Sequence, residues 1–146
     1  MEVNFLKQQG NDELLPDNKQ YREAIGKLLY ISTLTHPDIV AAVGMLRRKI
    51  ELPSKRDWNA VNRLAKYLNG TMHLKLKLPT SDKLRLVGYM DADWAGDTKN
   101  RKSTSGHLFF YDNGAVSWSS RKQETLALSS TEAEYISAAE ACRQLK

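Results

Sequence analysis

A single cysteine, Cys142, stands alone in the chain, so neither an internal disulfide nor a cysteine-rich metal cluster is available, and a reducing intracellular compartment is expected. There is no apolar run of the length needed to cross a bilayer. The start, MEVNFLKQQG, lacks the charged head and apolar stretch of a signal peptide. Membrane and secreted classes are therefore not expected. Disorder of the whole chain is excluded by its content: 41% of the 146 residues are hydrophobic and 27% charged, which suits one domain burying about two-thirds of its unfolded surface.

What is present is unevenly placed. Residues 1–80 hold 13 Lys and Arg against 8 Asp and Glu, whereas residues 81–146 hold 9 of each, so the net charge of +5 lies in the first part. A basic half suits a polyanion, and it is also what two solvated surfaces of different composition would give.

Residues 1–19, with Gly10-Asn11-Asp12 and Pro16-Asp17-Asn18, read as a linker. Three helical patterns follow. The first, from Tyr21 to about Ser32, sets Ile25, Leu28 and Leu29 on one side. The second is expected to start at a Thr35 cap with Pro37 and Asp38 in its first turn, and its Ile39, Val43, Leu46 and Ile50 form a stripe. The third follows a Ser54 cap with Asp57 at capping-box spacing, carries Trp58, Val61, Leu64, Ala65 and Leu68, and ends at Asn69-Gly70.

Alternation from Met72 to Leu78 predicts a strand, and a second strand is expected from Leu84 to about Trp94. Asn113-Gly114 predicts a two-residue hairpin turn that pairs Tyr111 with Val116 and Phe109 with Trp118. A last helix is expected from Ser129, capped with Glu132, with Tyr135, Ala138, Ala139, Cys142 and Leu145 as its stripe. That stripe meets no stop signal before Lys146, as in a fold that continues.

Charged residues are poor strand formers, so Asp91 and Asp93 call for a reason. Asp93 and Asp97 read more simply as loop acids. Asp91 directly follows Val87-Gly88-Tyr89-Met90, where a strand end would hold its carboxylate rigidly. In the last helix, Glu132 and Glu134 lie in the first turn, where acids also oppose the helix dipole. A strand-end acid with a first-turn acid would suit Mg²⁺, which takes a few carboxylates and keeps waters and phosphate oxygens. Paired carboxylates would also serve glycosidic chemistry. The segment Arg101–Gly106, rich in cations and hydroxyls, fits a phosphate backbone or a solvated loop.

The strings Tyr21–Tyr30, His36-Pro-Asp-Ile39, Tyr89-Met-Asp-Ala-Asp-Trp-Ala-Gly96, Arg101-Lys-Ser-Thr-Ser-Gly106, Val116–Gln123 and Leu128-Ser-Ser-Thr-Glu-Ala-Glu-Tyr135 resemble, in order and spacing, the end of the Pol polyprotein of copia-type LTR retrotransposons. The resemblance covers about residues 20–146. It implies a mixed α/β (α+β) chain: a linker at 1–19, a helical reverse transcriptase thumb or connection segment at 20–82, and at 83–146 the N-terminal half of a ribonuclease H domain, with the first three antiparallel strands and first helix of that fold. By the same resemblance Asp91 and Glu134 are the first two catalytic, metal-binding carboxylates. Lys102, Ser103, Thr104, Ser105, Ser129, Ser130 and Thr131 would lie near the nucleic-acid backbone. The implied cofactor is Mg²⁺, two ions in the intact domain. The implied partners are an RNA·DNA hybrid and the rest of the polyprotein, with no membrane, in the cytoplasm, a retrotransposon particle or the nucleus.

The family completes its site with further acids beyond the glutamate, and this sequence has only Glu140 after Glu134. The expectation is therefore a fragment that is inactive alone. The alternatives are a non-catalytic nucleic-acid-binding module using the basic stretch from Arg47 to Lys66, and a genomic relic that does not fold stably.

Overall fold

The computed structural model describes residues 13–78, 85–97 and 99–145. The chain divides into two compact units, Met1–Lys75 and Leu76–Lys146. The architecture is mixed α/β, with four α-helices and a three-stranded antiparallel sheet among the described residues.

The first unit is helical: α1 (Lys19–Leu34), a 3₁₀ turn at Pro37–Ile39, α2 (Val40–Arg47) and α3 (Lys55–Gly70). Their apolar stripes meet in a core of Tyr21, Ile25, Leu28, Ile39, Val43, Leu46, Ala60, Val61 and Leu64. Tyr21 is fully buried and its hydroxyl donates to the Leu46 carbonyl at 2.9 Å, tying α1 to the end of α2. Burial, reinforced by the Asp57 charge, pushes this phenol well above its usual pKa. The capping box at α3 forms as expected: Ser54 Oγ accepts from Asp57 N–H at 3.2 Å, and the Asp57 carboxylate accepts from Ser54 N–H at 2.9 Å. Ala65, placed on the α3 stripe by spacing, is exposed, and Ala60 takes a buried position instead.

Two expectations fail in this unit. Thr35 does not cap α2. Helix α1 runs on to Leu34, so Thr35 becomes its C-cap, with its N–H on the Ile31 carbonyl, and the chain enters α2 through the 3₁₀ turn instead. Asp38 is drawn elsewhere, accepting the Tyr67 hydroxyl of α3 at 2.6 Å. Residues Met72–Leu78 do not form a strand: a turn closes from Leu74 N–H to the Thr71 carbonyl, and Met72, Leu74 and Leu78 are exposed. An alternating pattern yields a strand only where a neighbour completes the ladder, and none of the described residues does so. At the other end, residues 13–15 pair with the loop before α3, through Leu15 N–H to the Pro53 carbonyl and Lys55 N–H to the Glu13 carbonyl, both at 2.9 Å.

The second unit consists of β1 (Leu86–Asp93), β2 (Thr104–Tyr111), β3 (Gly114–Lys122) and α4 (Ser130–Arg143), in the sheet order β1-β2-β3. The hairpin exists, but its turn is Asp112-Asn113, one residue earlier than expected. Both residues take positive φ, 43° and 69°, as a type I′ turn requires, and Gly114 joins the ladder opposite Tyr111. Asp and Asn tolerate the left-handed region because their short polar side chains bond locally, so the turn has no need of the glycine. A bulge between Phe109 and Phe110 absorbs the offset, and Phe109 faces Ser117 while Trp118 faces Leu108.

Helix α4 packs across β1 and β2. It does so with Ala133, Ser137 and Ala141, not with the expected Tyr135, Ala139, Cys142 and Leu145, which are exposed. Small residues let the helix sit close to the sheet, and the larger side chains are turned outward. On the sheet, the Phe109 ring lies across Gly88, where an added Cβ would come within 2.5 Å of it.

Replacing Gly88 with alanine therefore forces the Phe109 ring aside. The expected loss is ~1–3 kcal/mol in chemical denaturation, as for other overpacked cores. Ser54→Ala should cost about 1 kcal/mol by removing the α3 cap.

Candidate functional site

The register of the sheet assigns its faces. Gly88, Met90 and Ala92 of β1 share a face with Ser105, His107 and Phe109 of β2. That face receives α4: Gln123 Nε2 bonds both Ser105 Oγ and the Ala133 carbonyl at 2.9 Å, and His107 feels the charge of Glu140. Asp91 and Asp93 belong by alternation to the opposite face, with Val87 and Tyr89, where Tyr89 and Phe110 make an edge-to-face contact at 6.0 Å.

The three aspartates at the end of β1 have different duties. The carboxylate of Asp93 folds over Gly96, where a Cβ would meet Asp93 Oδ2 at 1.9 Å. Asp97 organises the loop to β2, accepting the Lys99 and Asn100 N–H groups at 2.9 and 3.3 Å and pairing with Lys122. Burial would raise its pKa, but the Lys122 bond and those N–H groups outweigh it and hold the carboxyl below its usual range. Asp97 is a loop acid, as its place in the sequence suggested, whereas Asp93 is still part of β1, paired opposite Thr104, because the strand runs two residues past Asp91. Asp91 is exposed, and its carboxylate has no hydrogen-bond or ion-pair partner among the described residues.

The acids of α4 divide in the same way. Ser129 Oγ accepts from Glu132 N–H at 3.1 Å, and the Glu132 carboxylate reaches back to Leu128 N–H at 2.7 Å, so Glu132 serves the cap. Glu134 is exposed, and its side chain is unpartnered among the described residues. One turn on, Ser137 Oγ donates to the Asp91 carbonyl at 2.8 Å, which fastens the helix beside the strand position that carries Asp91. Since β1 is an edge strand among the described residues and Asp91 points away from the α4 side, a ligand shared by the two acids would sit at the edge of β1 and not inside the helix–sheet interface.

Among the described residues, no group of three His, Cys, Asp or Glu side chains is placed to hold a metal ion. Two unpartnered carboxylates nonetheless suit Mg²⁺, which leaves most of its shell to waters and phosphate oxygens.

The expected nucleic-acid contacts separate by burial. Ser103 is fully buried, accepting the Ala95 N–H at 3.1 Å, and Ser105 is buried under Gln123, so their hydroxyls serve the interior. Lys102 and Thr104 are half-buried, with the Lys102 ammonium on the Glu124 carbonyl. Ser129, Ser130 and Thr131 are exposed at the start of α4, with the Ser129 hydroxyl engaged as the cap. In the basic stretch of the first unit, Arg47, Arg63 and Lys66 are exposed, and Lys55 pairs with Glu13 at 2.7 Å. Sequence reasoning passed over Gln123 and Ser137. The signal available for Ser137 was a polar residue in the middle of an otherwise small, apolar helix face.

His107 is half-buried. Burial lowers its pKa, repulsion from Arg121 adds to this, and Glu140 opposes it. The unfolded chain thus takes up this proton before the folded one does, and stability falls as the pH drops below about 6.5. The Asp97 contribution persists to lower pH and is lost only below about pH 4, through its depressed folded value. Denaturation midpoints measured against pH should flatten near neutrality in His107→Gln and lose the acid limb in Asp97→Asn.

No protein-family model and no solved structure matches the chain. Curated relatives do. It is 45% identical over 127 residues to the secreted RxLR effector protein 161 of Plasmopara viticola, covering 87% of this chain and 89% of that protein. It is 44% identical over 140 residues to the retrovirus-related Pol polyprotein from transposon TNT 1-94 of Nicotiana tabacum, covering 96% of this chain and 10% of that protein. To the retrovirus-related Pol polyprotein from transposon RE2 of Arabidopsis thaliana it is 41% identical over 132 residues, 90% of this chain and 9% of that protein. The chain thus spans about a tenth of each Pol polyprotein.

Proposed function

Because the chain belongs to the retrovirus-related Pol polyproteins of copia-type transposons, we propose that its second unit is part of their ribonuclease H, which hydrolyses the RNA strand of an RNA·DNA hybrid. The observation that carries this reading is the Ser137–Asp91 hydrogen bond, which sets α4 against β1 while leaving Asp91 and Glu134 exposed and without partners among the described residues. The acids beside them in sequence are engaged elsewhere, since Asp93 covers Gly96, Asp97 holds its loop and Glu132 caps α4.

In this reading Asp91 and Glu134 supply oxygen ligands to Mg²⁺, two ions serving the complete site. Bound Mg²⁺ would activate a water and stabilise the leaving oxygen at the phosphodiester. Asp91, on a strand, and Glu134, in a capped first turn, have their backbone positions fixed before substrate arrives. That lowers the reorganisation needed at the reacting phosphate. Lys102 and Thr104, with Ser130 and Thr131, offer a cation and hydroxyls to the hybrid's backbone, where shape and 2′-hydroxyls distinguish RNA from DNA. With Asp91 and Glu134 as its acids, the chain is expected on this proposal to bind a hybrid better than it cuts one. Intracellular action alongside the rest of the polyprotein follows from the same proposal. No helix among the described residues is long and apolar enough to cross a membrane.

The test uses the full chain and a labelled RNA·DNA hybrid in Mg²⁺. Hybrid binding should exceed that of duplex DNA of the same sequence, and cleavage should stay near background. Equal binding of the two duplexes would defeat the proposal. Strong cleavage that vanishes in Asp91→Asn would keep the ribonuclease reading and refute inactivity alone.

A further inference from the structure

The interior of the second unit contains more polar side chain than its small core needs. Ser103, Ser105, Gln123 and Ser137 are all 4% exposed or less. Gln123 is the most demanding of them. A buried amide is costly unless its groups are bonded, and Gln123 Oε1 has no hydrogen-bond partner within the described structure. A methionine of similar length would avoid that penalty. The other end of the same amide makes two bonds, to Ser105 Oγ and to the Ala133 carbonyl. Ala133 directly precedes Glu134, so the second bond holds the helix turn that displays the glutamate.

Ser137 works from the other direction. Its hydroxyl donates to the carbonyl of Asp91 at 2.8 Å, with a longer 3.4 Å contact to the Gly106 carbonyl. Asp91 and Gly106 are paired across β1 and β2. Both side chains therefore bond to the backbone of, or the backbone next to, the two unpartnered acids.

We propose that Gln123 and Ser137 are positioning residues: Gln123 fixes the α4 turn bearing Glu134, Ser137 fixes that helix to the strand position bearing Asp91, and together they set the spacing at which the two carboxylates meet a divalent cation. This rests on the reading of Asp91 and Glu134 as ion ligands. Supporting partners of this kind typically alter metal affinity roughly 10- to 100-fold when removed. A role in packing alone would lower the melting temperature and leave the ion affinity of the folded chain unchanged.

The experiment titrates the full chain with Mn²⁺, following paramagnetic broadening of the Asp91 and Glu134 amide signals, and records thermal melting on the same samples. Gln123→Met and Ser137→Ala should weaken Mn²⁺ binding about 10-fold while hairpin amide dispersion persists. Should Gln123→Met fail to fold, Gln123→Asn takes its place with the same expectation. Unchanged affinity in these variants, with binding abolished by Asp91→Asn and by Glu134→Gln, overturns the positioning role and leaves the ligand assignment standing. A loss that merely tracks the melting temperature across these variants also overturns it. Mn²⁺ binding that ignores Asp91→Asn and Glu134→Gln, or that is absent from the unaltered chain, defeats the ion-ligand reading itself.

Discussion

The second unit depends on how closely α4 lies against β1 and β2. Ala133, Ser137 and Ala141 allow that approach because they have almost no side chain to interpose. At such short range the sheet's own carbonyls become bonding partners, and Ser137 takes those of Asp91 and Gly106. The helix is thereby fixed along its axis as well as against the sheet, which apolar contact alone would not do, since burial is non-directional. Gln123 adds a second fixed point at the start of the helix. These two bonds tie the turn that precedes Glu134 and the middle of the helix to the sheet, whose own ladder sets Asp91 opposite Gly106.

The first unit solves its packing differently. Three helices contribute Ile, Leu and Val stripes to one core, and the main directional bond within that core is Tyr21 Oη on the Leu46 carbonyl. Its termini are secured by capping and by the short pairing of residues 13–15 with 53–55, so the part of the expected linker that is described is bonded to the helices it precedes. A large aliphatic core tolerates substitution of similar volume. The polar, small-residue interface of the second unit has less room for it, because each removed hydroxyl or amide strands a buried partner.

Much of this was legible in the residues. The helices α1 and α3, the capping box at Ser54, the β1 and hairpin strands and the start of α4 follow from local spacing, and local spacing is what period and cap chemistry report. The departures share a cause. The turn moved to Asp112-Asn113, the Met72–Leu78 strand did not form, and α4 buried Ala133, Ser137 and Ala141 in place of its larger apolar residues. Each depends on what lies opposite: a strand needs a neighbour, a hairpin register answers to a bulge, and a helix presents whichever face fits the sheet.

By itself the sequence determined most element types, the concentration of positive charge in residues 1–80 and the standing of Asp91 as a strand-end acid, because these are properties of composition and period, whereas Glu134 was preferred to Glu132 only through the resemblance to copia-type Pol polyproteins. Only the tertiary structure decided that Asp93, Asp97 and Glu132 are committed to local bonds while Asp91 and Glu134 are not. It also decided that Ser103 and Ser105 turn inward, since whether a hydroxyl meets solvent or a buried N–H depends on residues remote along the chain that folding brings against it.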